Sequence, residues 1–162
     1  MAAVDYFLKV DGIEGESQDS KHKNEIEMHS WSWGVQNTGS AHSGPGMGAG
    51  KAQAQDFHFV MSVSKASPKL MLACASGEHI NKAVVIARKA GKEQQEYLKW
   101  TFEGVLISSY QTGGSGSADI LPTDQISFNF QKCQVDYKPQ NKDGSLGGAV
   151  TKWADFNQNK WG

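Results

Sequence analysis

The sequence predicts an all-β fold in which two β-sheets form a tight barrel or sandwich, with one short flanking α-helix. Three observations carry that expectation. Apolar residues recur at every second position through most of the chain. One segment breaks to helical spacing, between helix start and stop residues. No repeat of 20–50 residues and no linker divides the chain, so residues 1–162 read as one domain.

The elements follow in order. "VDYFLKV" places Val4, Tyr6, Leu8 and Val10 on one face. In "EIEMHSWSWGV", Ile26 and Met28 begin in phase, and Trp31, Trp33 and Val35 continue out of phase. A slip near Ser30 points to a β-bulge or to a strand buried on both faces. "DFHFVMSV" aligns Phe57, Phe59, Met61 and Val63. "SPKLMLACASG" is the helical exception: Ser67 suits a cap, Pro68 the first helical position and Gly77 a left-handed stop. Leu70, Met71 and Cys74 there recur at helical spacing, so one face is expected to pack on a sheet. "AVVIARKAGKEQQEYLKWTFEGVLISSY" reads as two long strands around a turn containing Gly91. The second strand alternates Leu98, Trp100, Phe102, Gly104 and Leu106. "QISFNFQKCQVDYK" sets Ile126, Phe128 and Phe130 on one face, then Cys133, Val135 and Tyr137 after a second slip. A last strand is expected around Val150 to Phe156.

Composition narrows the function classes. Sixteen basic and seventeen acidic residues give a net charge of −1, without a basic block, so nucleic acid is not an expected partner. No 18-residue apolar run is present, so no membrane insertion is expected. "MAAVDYFLKVDG" lacks a basic and then apolar leader, so no ordinary secretory signal is expected and export would need another route. Cys74 and Cys133 lie far apart without CxxC spacing, as reduced thiols of a cytosolic chain do.

Motifs for chemistry fail on inspection. "GPGMGAGK" ends like a phosphate loop, but Pro45 stands where the first glycine belongs and Ala52 where the Mg²⁺-binding hydroxyl belongs. "AQAQDFHFV" then reads as a strand and not as the helix whose N-terminus would hold phosphate. In "TGGSGS", Ser117 occupies the last glycine position of a nucleophile elbow. His22, His29, His42, His58 and His79 show no metal-ligand spacing, although His29 and His58 could meet across strands. No carboxylate pair stands out. The reading is therefore not an enzyme, with no catalytic, metal or cofactor residues. Two other classes stay open: a monomeric β-barrel binding a small ligand, and a hydrolase whose triad assembles from distant residues.

Four blocks carry a resemblance: "YFLKVDGIEGESQDSKHKNEIEMHSWSWG", "KASPKLMLACASGEHI", "RKAGKEQQEYLKWTFEGVLISSYQTGGSGS" and "ISFNFQKCQVDYKPQ". In order and spacing they resemble the haemolysin-coregulated protein (Hcp) family, inner-tube proteins of the bacterial type VI secretion system. The match spans about residues 4 to 140, and the tail from about residue 141 matches less well. The resemblance implies a homohexameric ring that stacks on itself into a tube, with a spike protein at the tip and a contractile sheath around it. Small effector proteins ride in the lumen. It implies residence in the bacterial cytoplasm before firing and secretion through the type VI machinery afterwards. Only about twenty residues follow the matching region, so no fused toxin domain is expected.

Site residues follow from this. The turn of Thr112, Gly113, Gly114, Ser115 and Ser117 is implied to face the lumen and its cargo. The long glycine-rich stretch of residues 36–51 is expected to stack one ring on the next through Gly44, Pro45, Gly46, Met47 and Gly48, because connections beyond about 12–15 residues are usually functional or disordered. Trp31 and Trp33, just upstream, are expected to anchor the base of that loop in the barrel.

Overall fold

The computed structural model describes residues 4–37, 51–90, 93–117 and 120–162. Among them the strands are β1 (Val4–Val10), β2 (Ile26–Met28), β3 (Ser30–Ser32), β4 (Val35–Asn37), β5 (Ala52–Ala54), β6 (Phe57–Ser62), β7 (His79–Lys89), β8 (Gln95–Gly113), β9 (Thr123–Asn129), β10 (Lys132–Tyr137), β11 (Val150–Asp155) and β12 (Lys160–Trp161). A single helix, α1 (Ala66–Ser76), lies between β6 and β7. The Gly91 turn falls outside the described residues.

β8 organises the sheet. Its first half pairs with β7 on one side and β10 on the other, and its second half pairs with β9. One layer runs β12-β11-β10-β8-β7-β1-β2, and the other leaves β8 through β9 and β6 to β3. The two layers meet again in the chain itself. β2 pairs with β1 and β3 pairs with β6, and the handover occurs at His29, whose backbone N–H donates to the Val60 carbonyl at 2.8 Å. The sequence slip near Ser30 is this change of partner. The result is a sandwich-like wrap, joined at that point by chain continuity and not by a ladder between β1 and β6.

Four rings fill the interior. Phe57 lies 4.9 Å from Phe128 and 5.2 Å from Phe102, centroid to centroid, and Phe59 completes the cluster. All four are essentially inaccessible to solvent. Period two fails locally where Gly104 takes φ +66, a left-handed conformation that side chains resist. A Cβ there would also come within 2.8 Å of the Gln131 side chain. Burial therefore jumps from Phe102 to Val105 and Ile107, and Leu106 is only half-buried, contrary to the alternation expected of it. Val63 also departs from expectation: β6 ends at Ser62 and Val63 is exposed.

α1 ends as expected at Gly77, with φ 67, but it starts differently. Ser67 lies inside the first turn, and its hydroxyl donates to Asp124 Oδ2 at 2.5 Å. Ser64 takes the capping part, its hydroxyl accepting from the Ala66 N–H. The buried face is Ala66, Ser67, Leu70 and Ala73, while Met71 is exposed and Cys74 half-buried, so the helix is turned from the expected Leu70–Met71–Cys74 face. Asp124 is fully buried and also accepts from the Tyr110 hydroxyl at 3.1 Å, tying α1 to β8 and β9.

A second buried cluster sits on the outer side of β1 and β7. Arg88, 2% exposed, donates to Asp19 Oδ1 at 3.0 Å, Asp19 Oδ2 at 2.7 Å and Asp5 Oδ2 at 3.1 Å, and lies over the Phe7 ring. His22 stacks on the same ring and bridges Glu25 and Glu96. These contacts clamp the β1–β2 connection across the sheet.

The Arg88 guanidinium holds the Asp19 carboxyl down, from 3.8 to about 2. A depressed carboxyl stabilises the fold above its unfolded value, and that stabilisation is lost as pH falls through the folded value. Asp19→Asn is therefore expected to lower the melting temperature at neutral pH and to flatten the acid loss between about pH 4 and pH 2. Melts by circular dichroism across that range check it, and an unchanged acid limb would contradict it.

Candidate assembly surfaces

The predicted lumen turn forms at the far end of β8. Thr112 pairs with Asp124 and Gly113 with Thr123, closing the strand against β9. Gly114, Ser115 and Ser117 follow in an exposed turn, with the Ser115 and Ser117 hydroxyls 3.0 Å apart. A Cβ at Gly114 would touch the Pro122 ring at 3.4 Å, so the turn is compact. The turn holds hydroxyls and backbone groups and no charged side chain among its described residues.

The two tryptophans reach different places. Trp31, half-buried, meets Tyr6 edge-on at 5.9 Å and stacks on Phe57 at 5.7 Å, so it packs against the core. Trp33 packs on Trp100 at 5.1 Å and Phe130 at 5.8 Å, and its indole N–H donates to the Gln55 carbonyl at 2.8 Å. The Gln55 N–H in turn donates to the Gly34 carbonyl at 2.8 Å. Those bonds fix the foot of the β4–β5 hairpin, whose register pairs Val35 with Ala54 and Asn37 with Ala52. Gly44, Pro45, Gly46, Met47 and Gly48 lie outside the described residues. His29 and His58 do not pair with each other as expected but have separate serine partners, Ser62 and Ser127.

A third surface was not anticipated. Leu8, Val85, Trp100 and Val135 lie side by side on one face across four strands, as do Tyr6, Ala87, Leu98, Tyr137 and Val150. The second layer covers the β1 and β7 members of these rows and stops short of β10 to β12. Tyr137 is therefore exposed, Val150 is 58% exposed and Trp161 69%. Trp161 joins Trp33, Val35, Trp100, Val135, Ala154 and Phe156 in lining an open apolar groove of about 460 Å³ between the hairpin and the outer strands. The Trp100 indole N–H at its floor is buried without an acceptor among the described residues. Val135 and Tyr137 were legible as one face of a strand. That Tyr137 stays exposed among the described residues was not, because coverage depends on where the second layer ends.

Fold and surfaces together define a class: an antiparallel β subunit with a filled core whose apolar sheet face overruns its own second layer. The family follows from comparison. A family model described as "Type VI secretion system effector, Hcp" matches residues 7–137. The protein Hcp1 of Pseudomonas aeruginosa is 50% identical over 152 residues, covering 93% of both chains. The crystal structure of Hcp1 from Salmonella typhimurium superposes with a TM-score of 0.81 at 36% identity, covering 99% of each chain. A structure described as a type six secretion system protein gives a TM-score of 0.93 at 28% identity, over 99% of this chain and 100% of the other. The chain belongs to the Hcp family of the type VI secretion system.

The hairpin foot can be tested alone. Trp33→Phe keeps a ring against Trp100 but removes the N–H···O bond to Gln55, at an expected cost of about 1 kcal/mol. The Gln55 amide should then exchange faster with solvent deuterium while amides of β8 do not change. Equal protection in both proteins would show that the indole bond does not hold the hairpin.

Proposed function

We propose that this chain is the repeating subunit of the type VI secretion tube: six copies close into a ring, rings stack, and small effectors travel in the lumen. The uncovered apolar face of β10–β12 carries this reading. An apolar patch of this size on a single chain marks a contact surface, and a specific contact covers about 800 Å² per partner. A neighbouring subunit would cover Tyr137, Val150 and Trp161 and offer the Trp100 N–H an acceptor. A neighbour that set a different face against this patch would make a heterologous contact, and a ring is how such contacts close.

The remaining parts take roles within that frame. Thr112 to Ser117 contact cargo through neutral hydroxyl and backbone groups, which hold varied proteins without charge selection. Trp31 and Trp33 anchor the strand that leads to the stacking loop, Gly44 to Gly48. The spike protein caps the tube, the sheath surrounds it, and the subunit leaves the cytoplasm through the machinery itself. Family membership supports a structural secretion role over an enzymatic one.

Two experiments decide between this and a monomeric module. Light scattering of the purified protein should give six times 17.6 kDa, and the double variant Val150→Ser, Trp161→Ser should fall to the single-chain mass with its circular dichroism unchanged. A monomeric parent, or a variant that keeps its rings, counts against the lateral contact. For the lumen, Ser115→Gln should preserve rings while effector co-purification drops by about tenfold, the scale of one lost hydrogen-bonded contact. Full retention of every effector would remove the turn from the cargo surface.

A further inference from the structure

The connection of residues 11–25 between β1 and β2 holds one imidazole against the sheet. His22 is 4% exposed and stacks on Phe7 of β1, with ring centroids 4.3 Å apart. Both of its ring nitrogens meet carboxyl oxygens. Nδ1 lies 3.0 Å from Glu25 Oε2 within the connection, and Nε2 lies 2.6 Å from Glu96 Oε1 on β8. The second contact depends on a break in the β7–β8 register. Ala87 pairs with Leu98 but Arg88 pairs with Glu96, so Tyr97 is the extra residue of a bulge. In an unbroken ladder Tyr97 would stand opposite Arg88, and Glu96 would point to the other face. Bulges re-aim side chains in this way. Here the bulge brings Glu96 to the side of the sheet that carries Arg88 and His22.

We infer that His22 is a proton-operated latch, which fastens the connection to β8 while its ring carries two protons and releases it when one is lost. An ionised carboxylate can only accept, so holding two of them takes an N–H on each ring nitrogen. The neutral ring has one N–H, and its other nitrogen turns a lone pair toward a carboxylate oxygen. Glu25 is three residues away on the same connection and moves with the ring. The Glu96 side chain is 40% exposed and can turn to water, so its contact is the one that opens. The fastening is therefore present at low pH and lost as pH rises. The other charges around the ring do not replace the lost proton. Asp19 on the connection and Asp5 on β1 are both engaged by Arg88 of β7, and Lys21 and Lys23 beside the ring are exposed. Carboxylates and guanidinium groups ordinarily keep their charge where imidazoles exchange theirs, so the Arg88 ties persist when the latch opens. None of these residues lines the groove of the outer strands.

The test is made on the full chain in solution. Nitrogen-15 spectra at about pH 5 should show both His22 ring nitrogens protonated, and a neutral ring there would overturn the latch. Amide exchange reads the release. The N–H groups of His22, Asn24 and Glu25 close the turn around the ring, donating to the Asp19, Ser17 and His22 carbonyls. From about pH 5 to about pH 9 their protection, measured against β6 amides in the same sample, should fall about tenfold, the scale of one lost charge-assisted hydrogen bond. Glu96→Gln separates the proton from the contact, because an amide N–H can donate to the neutral ring, and protection should then stay within about twofold over the same range. Glu96→Leu should show low protection at every pH. Protection in the parent that does not change with pH, a Glu96→Gln protein that keeps the full step, or a Glu96→Leu protein as protected as the parent at low pH would each overturn the latch.

Discussion

The need of β8 for hydrogen-bond partners is the constraint on which the rest of the structure hangs. A strand of nineteen residues presents backbone donors and acceptors along both edges, and buried groups left unpaired are costly. β7 runs along the first edge. The second edge is shared, β10 serving the first half and β9 the second. The changeover falls between Asn129 and Lys132, where the Gln131 N–H donates to the Glu103 carbonyl at 2.9 Å beside the left-handed Gly104. Two sheets thus share one strand, and every other element takes its place from that division.

Two buried polar groups then hold elements that hydrophobic packing alone would leave free to slide. Asp124 accepts from Ser67 and Tyr110, so the first turn of α1, β8 and β9 share one register. Arg88 reaches Asp5 and Asp19, and with His22 it pins the connection of residues 11–25 across β1 and β7. Breaking one partner of such a cluster leaves an uncompensated charge, which is why these contacts specify geometry more strongly than they add net stability. At the same loop Gly15 lets the chain pass so close to Glu25 that a Cβ would lie 2.5 Å from its carbonyl oxygen.

The interior and the outer strands show the two fates of an apolar sheet face. Where β3, β6 and β9 stand opposite, the face becomes a core of phenylalanine rings. Where they end, the same alternation runs on through β10, β11 and β12 and meets solvent. The groove is the core pattern continued past its cover. The neutral turn at Ser115 contributes no residue to the groove that Trp33, Trp100 and Trp161 line.

The sequence by itself determined the local facts: period two in the strands, the left-handed stop at Gly77, the slips near Ser30 and after Phe130, and the four blocks that mark the Hcp family. These are written in neighbouring residues, and nearest-neighbour sterics and alternation suffice to read them. Tertiary structure decided what depends on distant partners. It turned the slip at Ser30 into an exchange of β1 for β6, took Ser67 from a cap to a ligand of Asp124, and rotated α1 so that Met71 faces outward. It gathered Asp5, Asp19 and Arg88, three charges scattered over the chain, into one buried cluster. It also left Val150 and Trp161 uncovered. Burial is a property of what lies opposite, and no alternation along a strand says where the opposing layer stops.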